Sequence, residues 1–239
     1  MYIVQMNGAP QHSLTRELQP VTKKKNNFTF HSASLLKWCS FLFLLIFSLA
    51  TSAQYSRKDL RQLRKGKLGM DTSFVYQLPF APGTGHYVVQ GYYGWFSHKG
   101  RLALDFKMPV GTPVHAVRGG VVVRVRESGT KGGWNEKYRS EGNNIVIQHA
   151  DGSRAGYWHL QFEGALVNVG DTVKQGQLIG LSGKTGYTTA AHLHLIVWTN
   201  RNGGWGQVPT RFLTQKGVRY LRVFRKYKAV ELKGLNKTE

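Results

Sequence analysis

Apolar positions fall into two regimes along this chain. Residues 41–49, Phe-Leu-Phe-Leu-Leu-Ile-Phe-Ser-Leu, form an almost unbroken apolar run. Beyond residue 75 the apolar residues come instead in short groups rich in Val, Ile, Leu and aromatics, separated by glycine-bearing turns. Tyr87–Gln90, Ala103–Phe106, Val121–Val125, Ile145–His149, Ala155–Leu160 and Leu193–Trp198 each have the length and the β-forming composition of a strand. Asp151-Gly152 joins two of them with a good hairpin turn. From Val167 to Gly186 the glycines Gly170, Gly176, Gly180, Gly183 and Gly186 punctuate very short strands, as a small folded-over sheet requires. The pattern predicts an all-β fold with a small antiparallel sheet or sandwich core. One short helix precedes it, capped by Ser56, running through Lys58–Lys65 and ending at Gly66.

The apolar run has its own meaning. Arg16, Lys23, Lys24, Lys25 and Lys37 precede it and the small residues Ala50-Thr51-Ser52-Ala53 follow, which is the order of a secretory signal peptide. It is shorter than the ~20 apolar residues of a comfortable membrane span. Cleavage after Ala53 and a secreted or periplasmic product are therefore expected, with an uncleaved membrane anchor as the alternative. The organisation read from the sequence is an N-terminal extension and signal peptide over 1–53, a basic helical linker over 54–75, a folded domain over 76–215 and a basic C-terminal tail over 216–239. Cys39 is the single cysteine and lies before the junction. The exported part then holds no thiol, so a metal there must rest on His, Asp or Glu.

The chain of 239 residues carries a formal net charge of +21, and the five cations before Ala53 stand against Glu17 alone, so +17 lies beyond the junction. Much of it is gathered at the ends, in Arg57, Lys58, Arg61, Arg64, Lys65 and Lys67, and in Arg219, Arg222, Arg225, Lys226 and Lys228. An exported protein with such flanks meets anionic cell-wall polymers or membrane surfaces; nucleic acid is not expected as a partner.

Candidate chemistry centres on Ala191-His192-Leu193-His194-Leu195-Ile196-Val197-Trp198. In a strand His192 and His194 leave by one face, ~7 Å apart at Cα, while Leu193 and Leu195 pack behind. Two imidazoles side by side point to a metal; two core histidines satisfied by backbone groups are the ordinary alternative. Asp105, between Leu104 and Phe106, is a poor strand residue that needs a cation, either a metal or an arginine. His98 sits in the loop before it, and His159 ends the run Gly156-Tyr157-Trp158-His159.

Together these motifs resemble those of the lysostaphin-type (LytM-type) zinc metallo-endopeptidases, which cut peptidoglycan cross-bridges. The similarity covers about Leu78 to Trp198 and is carried by Gln90-Gly91, Ser97-His98, Leu104-Asp105-Phe106, Gly111-Thr112-Pro113-Val114, Gly142-Asn143, Ile145–His149, Tyr157, His159-Leu160, Ser182-Gly183, Thr185-Gly186 and His192-Leu193-His194. The resemblance implies a barrel-sandwich-like fold, Zn2+ held by His98, Asp105 and His194, and catalytic duties for His159 and His192. It implies a peptidoglycan peptide as substrate, and a monomer is expected. One departure stands out. The family's commonest form has three residues between the first histidine and the aspartate, whereas six intervene here, Lys99 to Leu104, which leaves His86 or His115 open as the third ligand. A non-catalytic relative that binds peptidoglycan or activates an amidase is the runner-up. The glycine pattern also resembles that of biotinyl and lipoyl carrier domains, but no lysine here sits in their attachment motif.

Overall fold

A computed structural model describes residues 55–64, 74–201 and 203–231. The apolar run, the Ala53 junction and the expected helix end at Gly66 lie outside the described residues; no described helix is long and apolar enough to cross a membrane.

Helix α1, Arg57–Arg64, opens on a reciprocal cap in which Asp59 N–H donates to Ser56 Oγ (3.1 Å) and the Asp59 carboxylate accepts from Ser56 N–H (2.7 Å). Its Leu60 is 4% exposed and joins the core. The strands are β1 Gly85–Gln90, β2 Ala103–Phe106, β3 Pro113–His115, β4 Gly120–Arg126, β5 Gly132–Gly133, β6 Asn143–Gln148, β7 Arg154–Ala165, β8 Thr172–Val173, β9 Leu178–Ser182, β10 Gly186–Tyr187, β11 Leu193–Arg201, β12 Gly204–Gln207, β13 Phe212–Thr214, β14 Gly217–Arg219 and β15 Arg225–Lys228. A 3-10 helix spans Glu136–Glu141. The main sheet runs β15-β1-β2-β11-β7-β6-β4-β8, with β12 on β11 and with β9 bridging β3 and β7. Its pairings are antiparallel, so the all-β antiparallel architecture is the one the short β-forming groups between glycine-bearing turns predict.

Alternation along the central strands separates a core face from a functional face. Leu104, Phe106, Leu193, Leu195, Val197, Tyr157, Ala155, Ile145 and Ile147 are each at most 2% exposed and pack into one cluster. Burial of each large side chain contributes about 1.5–3 kcal/mol. The opposite face carries a row that crosses five strands: Gln90 is in register with Asp105, Asp105 with His194, His194 with Trp158 and Trp158 with Asn144. Strand register thus lines up polar residues from distant parts of the chain.

The segment from residue 216 onward, set apart in the sequence by its charge as a tail, contributes one strand to a separate two-stranded sheet and one to the main sheet. β14 pairs with β13, and β15 pairs with β1 from Gly85↔Lys228 to Val88↔Arg225. Tyr227 (6% exposed) and Ala229 (1%) anchor it, and their apolar signal is easily lost among the surrounding cations.

Candidate metal centre

His98 reaches the functional face from the loop between β1 and β2, and its side chain is 1% exposed. Its Nδ1 lies 3.0 Å from Gly91 O; a carbonyl only accepts, so Nδ1 carries the proton and Nε2 presents a lone pair. That Nε2 is 3.2 Å from Asp105 Oδ1 and 3.2 Å from His194 Nδ1, and His194 Nδ1 is 2.9 Å from Asp105 Oδ1. Three donor atoms therefore form a small triangle, whereas neighbouring ligands of tetrahedral zinc, with bonds of ~2.0–2.1 Å, are ~3.3 Å apart. Lone pairs and a carboxylate converging this closely need a proton or a cation between them, and this donor set fits zinc. Burial alone would raise the pKa of Asp105, but the facing imidazoles of His194 and His98 prevail and hold its carboxyl well below the usual range. Burial pushes the His194 imidazole down, against the pull of Asp105.

Asp105 is itself held in place. Gln90 Nε2 donates to its second oxygen, Oδ2 (2.9 Å), and to Ser97 Oγ (2.7 Å), while Ser97 N–H donates to Gln90 Oε1 (2.9 Å). Oδ1 is thereby turned toward the histidines, and the residue before His98 is tied to the same clamp. The sequence quotes Gln90 and Ser97 only as motif letters; their role shows once β1 and β2 are paired.

A second group comprises His159, His192 and His194, with ring nitrogens within 4.8 Å of one another. His159 owes its direction to the backbone. Asn144 pairs with Trp158 but Asn143 pairs with Leu160, so His159 is an extra residue in β7, at φ +64°. This bulge lets Trp158 and His159, neighbours in sequence, both line the groove while Leu160 returns to the core. His159 Nδ1 is 2.7 Å from Thr185 O, and burial, aided by the charges of His192 and His194, pushes its pKa down to about 3. It stands neutral at neutral pH with Nε2 as an acceptor. His192 Nδ1 lies 2.9 Å from Ala190 O, and its Nε2 is 3.6 Å from Asp105 Oδ1. Thr188 Oγ1, which donates to Ala190 O (2.8 Å), flanks the same ring at 3.2 Å.

All five residues singled out in the sequence thus come together. His86 and His115 do not join them: their Nδ1 atoms meet Lys107 O (3.0 Å) and Gly176 O (2.8 Å) respectively. The longer spacing after His98 is absorbed by a turn, with Gly100 at φ +70° and Arg101 N–H donating to His98 O (3.0 Å). Leu102 closes the loop against the core, its N–H donating to Gln207 Oε1 (2.7 Å).

The cluster opens into a groove of about 1540 Å³. Its wall carries an aromatic stack, Phe96 on Trp134 (4.7 Å, 14° between planes) and Trp134 on Tyr187 (4.6 Å, 28°), which links the loop before β2 to those around β5 and β10. From α1, Arg57 reaches the rim and donates to Tyr93 O (3.1 Å).

Residues 97–204 match Peptidase family M23. Glycyl-glycine endopeptidase ALE-1 of Staphylococcus capitis is 40% identical over 115 residues, covering 48% of this chain and 29% of that protein. Peptidoglycan DD-endopeptidase ShyA of Vibrio cholerae is 46% identical over 90 residues, covering 38% of this chain and 18% of that protein. The chain spans less than a third of the length of these curated relatives. The solved catalytic domain of the antimicrobial peptidase lysostaphin from Staphylococcus simulans is 37% identical, with 49% of this chain and 81% of that chain covered at a TM-score of 0.37. Through residues 97–204 the chain belongs to peptidase family M23.

Proposed function

We propose that this chain is a zinc-dependent endopeptidase that hydrolyses peptide bonds in bacterial peptidoglycan cross-links, outside the cytoplasmic membrane. The observation that carries the reading is the convergence of His98 Nε2, Asp105 Oδ1 and His194 Nδ1 within 3.2 Å of one another at the floor of an open groove. The names of the relatives above, a glycyl-glycine endopeptidase and a peptidoglycan DD-endopeptidase, support the substrate class. Zinc held by His98, Asp105 and His194 would supply Lewis-acid polarisation of a peptide carbonyl and acidify water.

The remaining chemistry belongs to the side chains. His192 is placed to take a proton, because Ala190 O holds its Nδ1–H tautomer and leaves Nε2, 3.6 Å from Asp105 Oδ1, to accept beside the metal position. Burial disfavours the charged form of His159, and the pull of Asp105 is too weak to offset it. Its neutral ring, fixed through Thr185 O, accepts a hydrogen bond at Nε2 and orients the attacking water or the substrate N–H. Gln90 and Ser97 keep the carboxylate and His98 in position.

The test separates metal binding from turnover. His194→Ala should lose both zinc and hydrolysis of purified peptidoglycan, whereas His192→Ala should keep zinc nearly stoichiometric and lose turnover by ~10²-fold or more. Zinc measured by atomic spectroscopy and hydrolysis followed on the same preparations decide it: equal zinc loss in both variants removes the division of roles, and undiminished hydrolysis in either removes the site.

A further inference from the structure

We propose that the recess formed by the β13–β14 hairpin and the β14–β15 connection is a second binding site, for a linear phosphodiester polymer without bases. The recess is about 730 Å³ and is lined by Arg211, Lys216, Arg219, Arg222, Arg225 and Lys226, with no carboxylate among its described lining residues. Sequence explains the imbalance: no Asp or Glu occurs between Asp171 and Glu231. Six like charges around one hollow repel, and the fold holds them there regardless. Tyr227, buried in β15, accepts from Arg222 N–H through its hydroxyl (2.9 Å); Thr214 Oγ1 pins the hairpin by donating to Gly217 O (2.8 Å) and accepting from Lys216 N–H (3.1 Å). Anionic ligand relieves that repulsion.

The kind of anion follows from the donors and the shape. Four of the six cations are arginines, each offering five N–H donors in a planar fork, and the described lining holds no carboxylate acceptor. A phosphodiester is ionised throughout the working pH range and offers two non-bridging oxygens that a guanidinium fork meets in a bidentate pair, so it matches such a surface. Arg222 and Arg225 line both the recess and the groove of the candidate metal centre, so the cationic surface is continuous and suits a chain rather than a single ion. Nucleic acid is disfavoured because single-strand binders stack bases on exposed aromatic faces. Here Tyr227 is 6% exposed and Tyr220 is half-buried, and the exposed Trp95, Phe96, Trp134 and Phe224 lie in the groove instead.

The test is a binding assay on the full chain that needs no hydrolysis, so its outcome is independent of the peptidase reading. Labelled poly(glycerol phosphate) is titrated by fluorescence anisotropy at several salt concentrations, beside poly-L-glutamate and single-stranded DNA of equal charge. Poly(glycerol phosphate) should bind most tightly. The triple variant Lys216→Gln/Arg219→Gln/Lys226→Gln, all exposed positions, should weaken it about tenfold or more and flatten the salt slope by about 2, at ~0.7 per cation lost. A control with the same charge removed elsewhere, Arg124→Gln/Lys174→Gln/Lys184→Gln, should change affinity less than about twofold. Lys216→Arg/Lys226→Arg should retain binding, which separates charge from damage to the hairpin. Equal losses in the two triple variants would overturn the site. Tighter binding of DNA or polyglutamate would overturn the ligand class.

Discussion

Replacing Gln90 with leucine tests how much of the proposed zinc site depends on a residue that does not touch the metal. The side chain donates to Asp105 Oδ2 at 2.9 Å and accepts from Ser97 N–H at 2.9 Å. Leucine removes these bonds, and that to Ser97 Oγ (2.7 Å), and leaves an oxygen of a 5% exposed aspartate without this donor. A hydrogen bond to a charged group contributes about 1.5–3 kcal/mol, and ~1.4 kcal/mol is a factor of ten in an equilibrium constant, so zinc affinity should fall about 10- to 100-fold. The same range is typical when the residue supporting a metal ligand is lost. Freed from Ser97, the loop carrying His98 loosens too, which pushes the loss toward the upper end. Competition titration against a chromophoric zinc chelator measures it on the full chain. Melting with and without zinc gives an independent reading, because a weaker ligand stabilises less at fixed concentration. The metal-free melting temperature reports the part of the loss that falls on the fold itself, and the zinc-dependent shift above it reports the part that falls on the site. If wild type binds zinc and Gln90→Leu binds it within twofold, the clamp has no role in shaping the site.

Three further outcomes follow from other parts of the fold. Burial pushes His149 down to about 4, while in the unfolded chain it titrates near 6.5, so the unfolded state takes up its proton first and stability present above pH ~6.5 is lost as pH falls toward 4. In urea unfolding, the stability lost between pH 7 and pH 5 should be smaller by about 2 kcal/mol in His149→Asn than in wild type; an unchanged loss would assign acid sensitivity elsewhere. Gly186 lies at φ +84°, and a Cβ there would come 2.6 Å from Gly142 Cα, so Gly186→Ala should destabilise by about 2 kcal/mol or more and shift the His159 ring signals in NMR, because Thr185 O moves with it. A double-mutant cycle on Phe96→Ala and Trp134→Ala should return a coupling of about 0.5–1 kcal/mol in thermal unfolding, and a coupling of zero would mean that the stack does not join the two loops.

The parts of this molecule legible in its sequence are those where chemistry and periodicity agree. Short runs of β-forming residues between glycine-bearing turns mark the central strands, and His192-Leu193-His194 sits on a strand face as its spacing requires. Asp105 stood out because a carboxylate inside an apolar strand needs a cation, and it lies opposite His194. What stayed hidden depends on pairing or on single backbone angles. Gln90 is an ordinary polar strand end until its register with Asp105 is known. Strict alternation would send His159 to the core side with Tyr157, and nothing in the local residue types announces the left-handed angle that reverses it. Thr185 and Thr188 act through a carbonyl and a hydroxyl whose positions are set by loop closure. β15 was obscured for a different reason: three of its four residues are cations, so its one buried residue, Tyr227, leaves a weak strand signature.

The extra residue in β7 bears on any attempt to transplant this chemistry. A designer who copies the five side chains onto a regular antiparallel sheet of the same twist would install His159 pointing into the hydrophobic interior, where it disrupts packing and contributes no function. Its φ of +64° and the register slip between Asn143 and Asn144 must travel with it, together with the Thr185 carbonyl that holds its ring. The smallest portable unit is therefore a kinked hairpin with its facing loop. Directed evolution that shortened β7 by one residue at this point would restore a regular ladder and lose the histidine's aim in the same step.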